Sequence, residues 1–324
     1  MDNIKYAPEP MHSFLIYINS IQGKSKRTAE EYFYDLRTFY RFLNLHFGVV
    51  KDDTDFDSIE IDNVDVEMLK KVDLNLLFEY ANFLNAQRKN CARSRSRKIS
   101  ALRSYFKYLH NKLHIIDENP TIDLDSVRIE KQLPRYFTLE DSKRLLNAVD
   151  GRNYERDFCI LTLFLNCGMR LSELVGINIA DINGDELVVV GKGNKERTVY
   201  LNDACIAAIE NYIPERNKIQ TSSTDAAKAM FLSERGNRIS RRAVQSLVEK
   251  YVKKLGMDSH KYTTHKLRHT AATLMHQSGV DIRVLQEILG HKQLSTTEIY
   301  THINNDEIRA AVSKNPLNTE SRKK

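Results

Sequence analysis

At 324 residues the chain is too long for one ordinary hydrophobic core and suits two domains of unequal size. Apolar residues make up 41% and charged residues 28%, a globular profile. The longest apolar stretch, Phe158 to Met169, is broken by Thr162 and Asn166 and falls far short of the roughly 20 residues of a membrane span, so no membrane partner is expected.

The opening MDNIKYAPEP lacks the apolar core of a signal peptide, which points to the cytoplasm. Phe14, Ile18 and Ile21 share one helical face; Tyr32, Leu36, Phe39 and Leu43 share another. Leu76, Leu77, Tyr80, Phe83 and Leu84 continue the pattern, as do Ile99, Leu102, Phe106 and Leu109. The spacing predicts four amphipathic helices forming a small bundle over residues 1–116.

Charge is segregated within this part. Asp52–Glu67 holds eight acidic residues and no basic one, and reads as a surface insertion at about 50–67 between the second and third helices. Ala86–Leu113 holds nine basic residues and no acidic one. Such segregation predicts one face that meets a polyanion and another that avoids it. Arg88, Lys89, Arg93, Arg95, Arg97, Lys98 and Arg103 are the candidate contacts.

Asn119-Pro120 predicts the end of the fourth helix, because the residue before proline is pushed out of the helical region. Residues 117–136 then read as a linker. Thr138 suits an N-cap with Glu140 and Asp141 in the first turn. Residues 137–324 are predicted to be mostly helical with one antiparallel hairpin, Glu186–Val190 and Arg197–Leu201, around the turn GKGNKE. The closing NPLNTESRKK reads as a mobile tail. The cysteines (Cys91, Cys159, Cys167, Cys205) form no CxxC pair and read as reduced packing residues, with no structural zinc.

Five places in the second part can carry chemistry. Arg170 follows an almost wholly apolar helix, and a guanidinium there needs an anionic partner. Glu173, one turn on, suits that role, and a purely structural pair is one reading. Lys192 sits between glycines in the hairpin turn and can reach a closely held ligand, with Lys195 as its rival. In THKLRHTAATLMH, with Thr264 as N-cap, a 100° step places His265, Arg268, His269 and His276 on one side. Imidazoles and a guanidinium on one face suit phosphate oxygens. The competing metal site on His265 and His269 lacks an HExxH and would share its face with a cation. Asp281 is expected to cap a helix that ends at Leu289 with Gly290 left-handed, so that His291 emerges just past the helix end. Tyr300 follows Thr296-Thr297, a second cap. This last stretch also resembles a helix-turn-helix, which leaves DNA reading without catalysis open. Arg241 and Arg242 open a further helix after Ser240.

Taken together, the order Arg…Lys…His-x-x-Arg…His…Tyr in GMRLSELVGI, GKGNKERTVYL, HKLRHTAAT and LGHKQLSTTEIYTH resembles the tyrosine recombinase family, and specifically its Xer-type bacterial members. The resemblance covers nearly the whole chain and implies a mainly α fold. A helical core-site-binding domain would precede a mostly helical catalytic domain with a small antiparallel sheet and a C-terminal tail. It implies Tyr300 as nucleophile, Arg170, His265, Arg268 and His291 around the scissile phosphate, Lys192 as general acid and Glu173 as their orienter. No cofactor is implied. The implied partners are double-stranded DNA with an inverted-repeat core site and a homo- or hetero-tetramer on two duplexes, with room for an accessory activator. The implied role is Xer-like chromosome dimer resolution; the alternatives are the integrase or resolvase of a mobile element, a relaxing topoisomerase, or a regulator that kept the fold without the chemistry. In the segment after Tyr300, Ile308, Ala311 and Val312 form an apolar stripe too short to stand alone. Its own domain is one place for it to dock; the resemblance implies instead that it docks on a neighbouring protomer.

Overall fold

The computed structural model describes residues 3–129, 136–191, 195–290 and 305–318. The chain divides into two units, Met1–Gln132 and Leu133–Lys324, each with its own core.

The first unit is helical. Helix α1 (Met11–Ile16) continues into a wider turn over Tyr17–Ile21, and α2 spans Lys26–His46. Then come α3 (Val66–Lys70), α4 (Leu74–Ala86) and α5 (Ala92–Tyr108), the last continuing into a wider turn over Leu109–Leu113. Ser25, Asp65 and Asp73 cap α2, α3 and α4 by accepting backbone N–H groups that would otherwise lack a partner. The periodic residues are the buried ones, including Phe14, Ile18, Leu36, Phe39, Tyr80, Leu102 and Phe106. Ile21 departs from this at 75% exposed, because the wider turn rotates it off the shared face. The core is aromatic: Phe39 meets Tyr80 and Phe106 edge-on at 5.0 and 5.9 Å. The buried hydroxyls of Tyr40 and Tyr105 satisfy each other at 2.6 Å.

The acidic stretch is not a solvated excursion. Ile59, Ile61 and Val64 are buried beside its carboxylates, and Phe56 and Met68 pack on the core. Asp55 and Asp65 are helix caps. Asp57 pairs with Arg41 at 3.3 Å and with Arg88 at 3.2 Å, so acidic and basic segments meet here rather than standing apart. The last helical segment stops at Leu113, where His114 turns left-handed (φ 51°), well before Asn119-Pro120. The expected linker also begins later than residue 117. Thr121 and Leu124 are buried in the first unit, and Arg103 donates to the Leu124 carbonyl and, at 3.0 Å, to Ser126 Oγ.

Lys98 requires a correction of role. It is 8% exposed, and its ammonium donates to Asp35 Oδ1 at 3.1 Å and Thr38 Oγ1 at 2.9 Å. Arg97 reaches the same carboxylate at 2.8 Å. Lys98 is therefore a packed ion pair and not a face-forming cation. Burial pushes the Asp35 carboxyl up and the Lys98 ammonium down, each opposed by the charge of the other.

The second unit is built around α7. Its elements are α6 (Leu139–Asn147), α7 (Tyr154–Cys167), α8 (Leu171–Gly176), β1 (Ile182–Asn183), β2 (Glu186–Val190), β3 (Glu196–Tyr200) and α9 (Asp203–Asn217). They continue with α10 (Thr224–Lys228), α11 (Arg241–Lys254), α12 (Thr264–Gln277), α13 (Ile282–Leu289) and α14 (Asn305–Ser313). Thr138 caps α6 as expected, accepting from Asp141 N. Helix α7 is largely apolar and covered by α9 and α12, and every residue from Asp157 to Cys167 is buried. Its polar Asn166 accepts a hydrogen bond from Asn202 at 2.9 Å. Cys159, Cys167 and Cys205 are buried packing residues, and Cys91 is exposed. The sheet is antiparallel in the order β1-β2-β3, with Leu187 opposite Val199 and Val189 opposite Arg197. Among the described residues no helix is long and apolar enough to cross a membrane.

The C-terminal segment docks on its own unit. Ala311 and Val312 are buried with Tyr200, Met275, Leu285 and Ile288, and Ile308 packs beside them. Arg309 reaches Asp185 and Glu186 at 2.8 and 2.7 Å, stacked over the Tyr200 ring at 4.7 Å. The tail expected from Asn315 is anchored at its start. Asn315 donates to the Leu165 carbonyl at 3.0 Å, and Leu317 is 0% exposed.

Replacing Lys98 with alanine leaves Asp35 buried with less compensation. We expect a loss of about 3 kcal/mol in urea unfolding, with DNA affinity of the folded protein unchanged. A loss of DNA affinity without loss of stability would return Lys98 to the contact face.

Candidate active site

The site is assembled where three chain segments meet the end of α13. After α7, Gly168 turns left-handed (φ +57°), where any side chain is strained, and a Cβ there would stand 2.9 Å from Leu289 Cδ2 and displace that leucine side chain. Two residues later Arg170 opens α8, and Glu173 reaches back to it. Glu173 Oε2 accepts from the Arg170 backbone N–H and Oε1 from Arg170 Nη1, both at 2.7 Å. The pairing is at once a helix cap and an ion pair.

Three guanidinium groups then hold three successive carbonyls at the C-terminus of α13. Arg197, from β3, donates to Ile288 O at 2.6 Å; Arg268, from α12, to Leu289 O at 2.5 Å; Arg170 to Gly290 O at 3.1 Å. A helix C-terminus carries partial negative charge on such carbonyls and favours cations. Arg268 also donates to Gly168 O at 2.6 Å, and Arg197 to Glu173 Oε2 at 2.9 Å.

Electrostatics separate the members of this cluster. Burial pushes the Glu173 carboxyl up, but the hydrogen bonds and charges of Arg197 and Arg170 outweigh it and hold the group below the usual glutamate range. Burial, with repulsion from Arg170 and Arg197, pushes Arg268 down to about 10, still cationic at neutral pH. Arg268 is 6% exposed, whereas the Arg170 side chain is 36% exposed. The open guanidinium is Arg170.

The other candidates fall in three groups. His265 is exposed in the first turn of α12, one turn before Arg268. That helix begins with Thr264, which is buried and not its cap; Thr263 stands at the N-cap position without a side-chain cap hydrogen bond. His269 is half-buried, edge-on to Tyr136 at 6.2 Å, and burial with the nearby Lys266 and His265 holds its imidazole below the usual range. Among the described residues no group of three His, Cys, Asp or Glu side chains could hold a metal ion. Arg241 and Arg242 are exposed in the first turn of α11, capped by Ser240. In the first unit Lys89 and Arg93 are exposed, Arg95 is half-buried, and Arg88, Arg97 and Arg103 are engaged within the unit.

Lys192, His291 and Tyr300 lie outside the described residues. Their neighbours are described. Gly191 N donates to Lys195 O at 2.7 Å across the hairpin turn, and a Cβ on Gly191 would stand 3.8 Å from Glu173 Oε1. Lys195 is exposed. Gly290, which precedes His291 in sequence, is left-handed at φ +61°, the C-cap expected for α13.

Sequence reasoning passed over Arg197. Its signal was the alternation Arg197, Val199, Leu201, which places an arginine on the inward face of a strand opposite the buried Val189. A guanidinium at such a position requires an anionic partner.

Residues 135–307 match the phage integrase family. Over 321 residues the chain is 49% identical to the tyrosine recombinase XerC of Caldanaerobacter subterraneus subsp. tengcongensis, covering 99% of this chain and 90% of that protein. Among solved structures it resembles XerH site-specific recombinase bound to difH substrate in a pre-cleavage complex. Identity there is 22% and the TM-score 0.62, over 88% of this chain and 78% of that one. It also resembles a lambda integrase tetramer bound to a Holliday junction, at 15% identity and TM-score 0.62, over 89% of this chain and 79% of that one. At these identities the structural likeness is one of fold.

The Glu173 pairing predicts a pH signature. Its folded pKa lies below the unfolded value of about 4.3, so its stabilisation is complete above that pH and is lost as pH falls through the folded value. Glu173→Gln should therefore cost about 3 kcal/mol in denaturant unfolding at pH 7, with the gap to the parent protein closing in acid. A gap that stays constant with pH would show that the charge of Glu173 plays no part.

Proposed function

This chain belongs to the phage integrase family as a Xer-like tyrosine site-specific recombinase, and from that premise we propose that it cuts and rejoins DNA through a 3′-phosphotyrosyl bond made by Tyr300. The observation that carries the reading is the arginine cluster on the α13 carbonyls, with Arg170 left open toward solvent. Arg170 and Arg268 repel each other, and a bound phosphate relieves that repulsion. Both guanidiniums are held by fixed carbonyls, so little reorganisation is needed when charge develops on the phosphate.

The Tyr300 hydroxyl attacks the scissile phosphorus in line. The bond from phosphorus to the 5′ oxygen breaks, and the 3′ end remains joined to the tyrosine. The phenol, with a pKa near 10, passes its proton to His265 or water. Arg170, Arg268, His265 and His291 take the charge on the nonbridging oxygens, where each donor is typically worth about 10²–10³ in rate. Lys192 protonates the departing 5′ oxygen, and Glu173 orients Arg170. The covalent bond keeps the energy of the cut linkage, so a 5′ hydroxyl of a partner duplex reverses the step without ATP. The arginines supply the positive charge, and no step is assigned to a metal or other cofactor.

The substrate in this reading is a cytoplasmic duplex with an inverted-repeat core site, bound by a homo- or hetero-tetramer on two duplexes, with or without an accessory activator. The role is chromosome dimer resolution at cell division. The exposed Lys89, Arg93, Arg241 and Arg242 contact phosphates, giving affinity without sequence information. Arg88 joins them by exchanging Asp57 for a phosphate.

Tyr300→Phe should abolish covalent capture of a nicked suicide substrate on a denaturing gel while leaving half-site binding intact. An adduct formed by this variant overturns the nucleophile assignment. Lys192→Ala should slow cleavage of an ordinary 5′ oxygen far more than that of a 5′-phosphorothiolate, whose sulfur leaves without acid help. If Lys195→Ala shows this rescue and Lys192→Ala does not, the acid is Lys195.

A further inference from the structure

We infer that Arg197 is a positioning residue for strand cleavage, setting the place of Arg170 at the phosphate by clamping the Glu173 carboxylate to the end of α13. The inference rests on the reading above, in which Arg170 meets the scissile phosphate. One guanidinium here makes two divergent bonds to two elements. Nη2 holds Glu173 Oε2 at 2.9 Å, and Nη1 holds the Ile288 carbonyl at 2.6 Å. The same carboxylate holds Arg170 through its other oxygen, and the same helix end receives Arg170 at Gly290. Removing Arg197 therefore loosens both anchors of Arg170 together.

Arg197 is poorly placed to meet substrate itself. Its side chain is 16% exposed, and its Nε is buried and finds no hydrogen-bond partner among the described residues. Gly290 packs directly on it, since a Cβ there would lie 3.0 Å from Arg197 Cδ and 3.3 Å from Nε. The left-handed glycine thus does two things: it ends α13, and it leaves room for the arginine stem. Arg197 also stands in the strand that returns from the Lys192 turn, paired with Val189 of the outgoing strand. Through it the hairpin and the phosphate cluster share one carboxylate. A lysine cannot replace this fork, because a single ammonium lacks the planar geometry for two divergent acceptors.

The test compares Arg197→Ala, Arg197→Lys, Glu173→Gln and the Arg197→Ala/Glu173→Gln double variant in single-turnover cleavage of a nicked suicide duplex. Half-site affinity, thermal melting and the pH–rate profile are measured alongside. Arg197→Ala should lower the cleavage rate by about 10²-fold, the scale of a misplaced catalytic group, with half-site affinity unchanged. In the Glu173→Gln background the same change should add less than about threefold, because both act through one interaction. The acid limb of the profile should move to higher pH in Arg197→Ala, since Glu173, faced by Arg170, Arg197 and Arg268, loses one cation while staying buried. If the alanine variant does not fold, Arg197→Lys keeps the charge and so should leave the acid limb in place, with cleavage still reduced about tenfold and not reduced further in the Glu173→Gln background. Multiplicative effects with an unmoved acid limb would overturn the inference and leave Arg197 a packing residue. Arg170→Ala separates the two levels. Cleavage retained in that variant removes the phosphate reading itself, whereas cleavage lost there but retained in both Arg197 variants removes only the role of Arg197.

Discussion

Gathering guanidinium groups into one corner of a protein is unfavourable unless negative charge is fixed there first. In the second unit that charge has two sources. One is the buried carboxylate of Glu173, shared between Arg170 and Arg197. The other is the row of carbonyls at the C-terminus of α13, each taken by a different arginine. The carboxyl is held below the usual glutamate range because its cations outweigh the penalty of burial. Without it the arginines would disperse to solvent, and α13 would lose partners for its last turn.

The surrounding architecture follows from that requirement. α7 is buried on all faces from Asp157 to Cys167, so that its end sets Gly168 against Leu289 and the chain then brings Arg170 to a half-exposed place. Gly168 must turn left-handed, where a side chain is strained, so that its own carbonyl meets Arg268. The hairpin must keep its register so that Arg197 faces inward opposite Val189. A one-residue slip would send the guanidinium to the solvent face and leave the carboxylate with one cation.

Local physics was legible in the chain, and distant pairing was not. Helical faces, the caps at Thr138 and Asp281, the hairpin and the left-handed Gly290 all depend on residues within a few positions of one another. The Arg170–Glu173 pair was legible for the same reason. Arg197 was missed because its acceptors lie 24 and 91 residues away. Lys98 looked like part of a basic face, since its partner Asp35 is 63 residues upstream. The acidic stretch misled through its composition: Ile59, Ile61 and Val64 bury a side chain every second or third position, a pattern hidden among eight carboxylates. The helix thought to reach Asn119-Pro120 ends at Leu113, because the left-handed His114 stops it without any proline or glycine.

The docked α14 has a further consequence. Arg309 on Asp185 and Glu186, Val312 in the apolar cluster and Asn315 on α7 peg this helix to the body of its unit at several points. Asn305 lies five positions after Tyr300, and an extended chain covers at most about 3.5 Å per residue. The phenol is therefore leashed on a radius of about 17 Å from the start of the helix, plus the length of its own side chain. In the proposed reaction, a phosphate within that radius would meet the phenol as an intramolecular group at high effective concentration. Reaching a bond on a more distant strand would require the pegs to be drawn first.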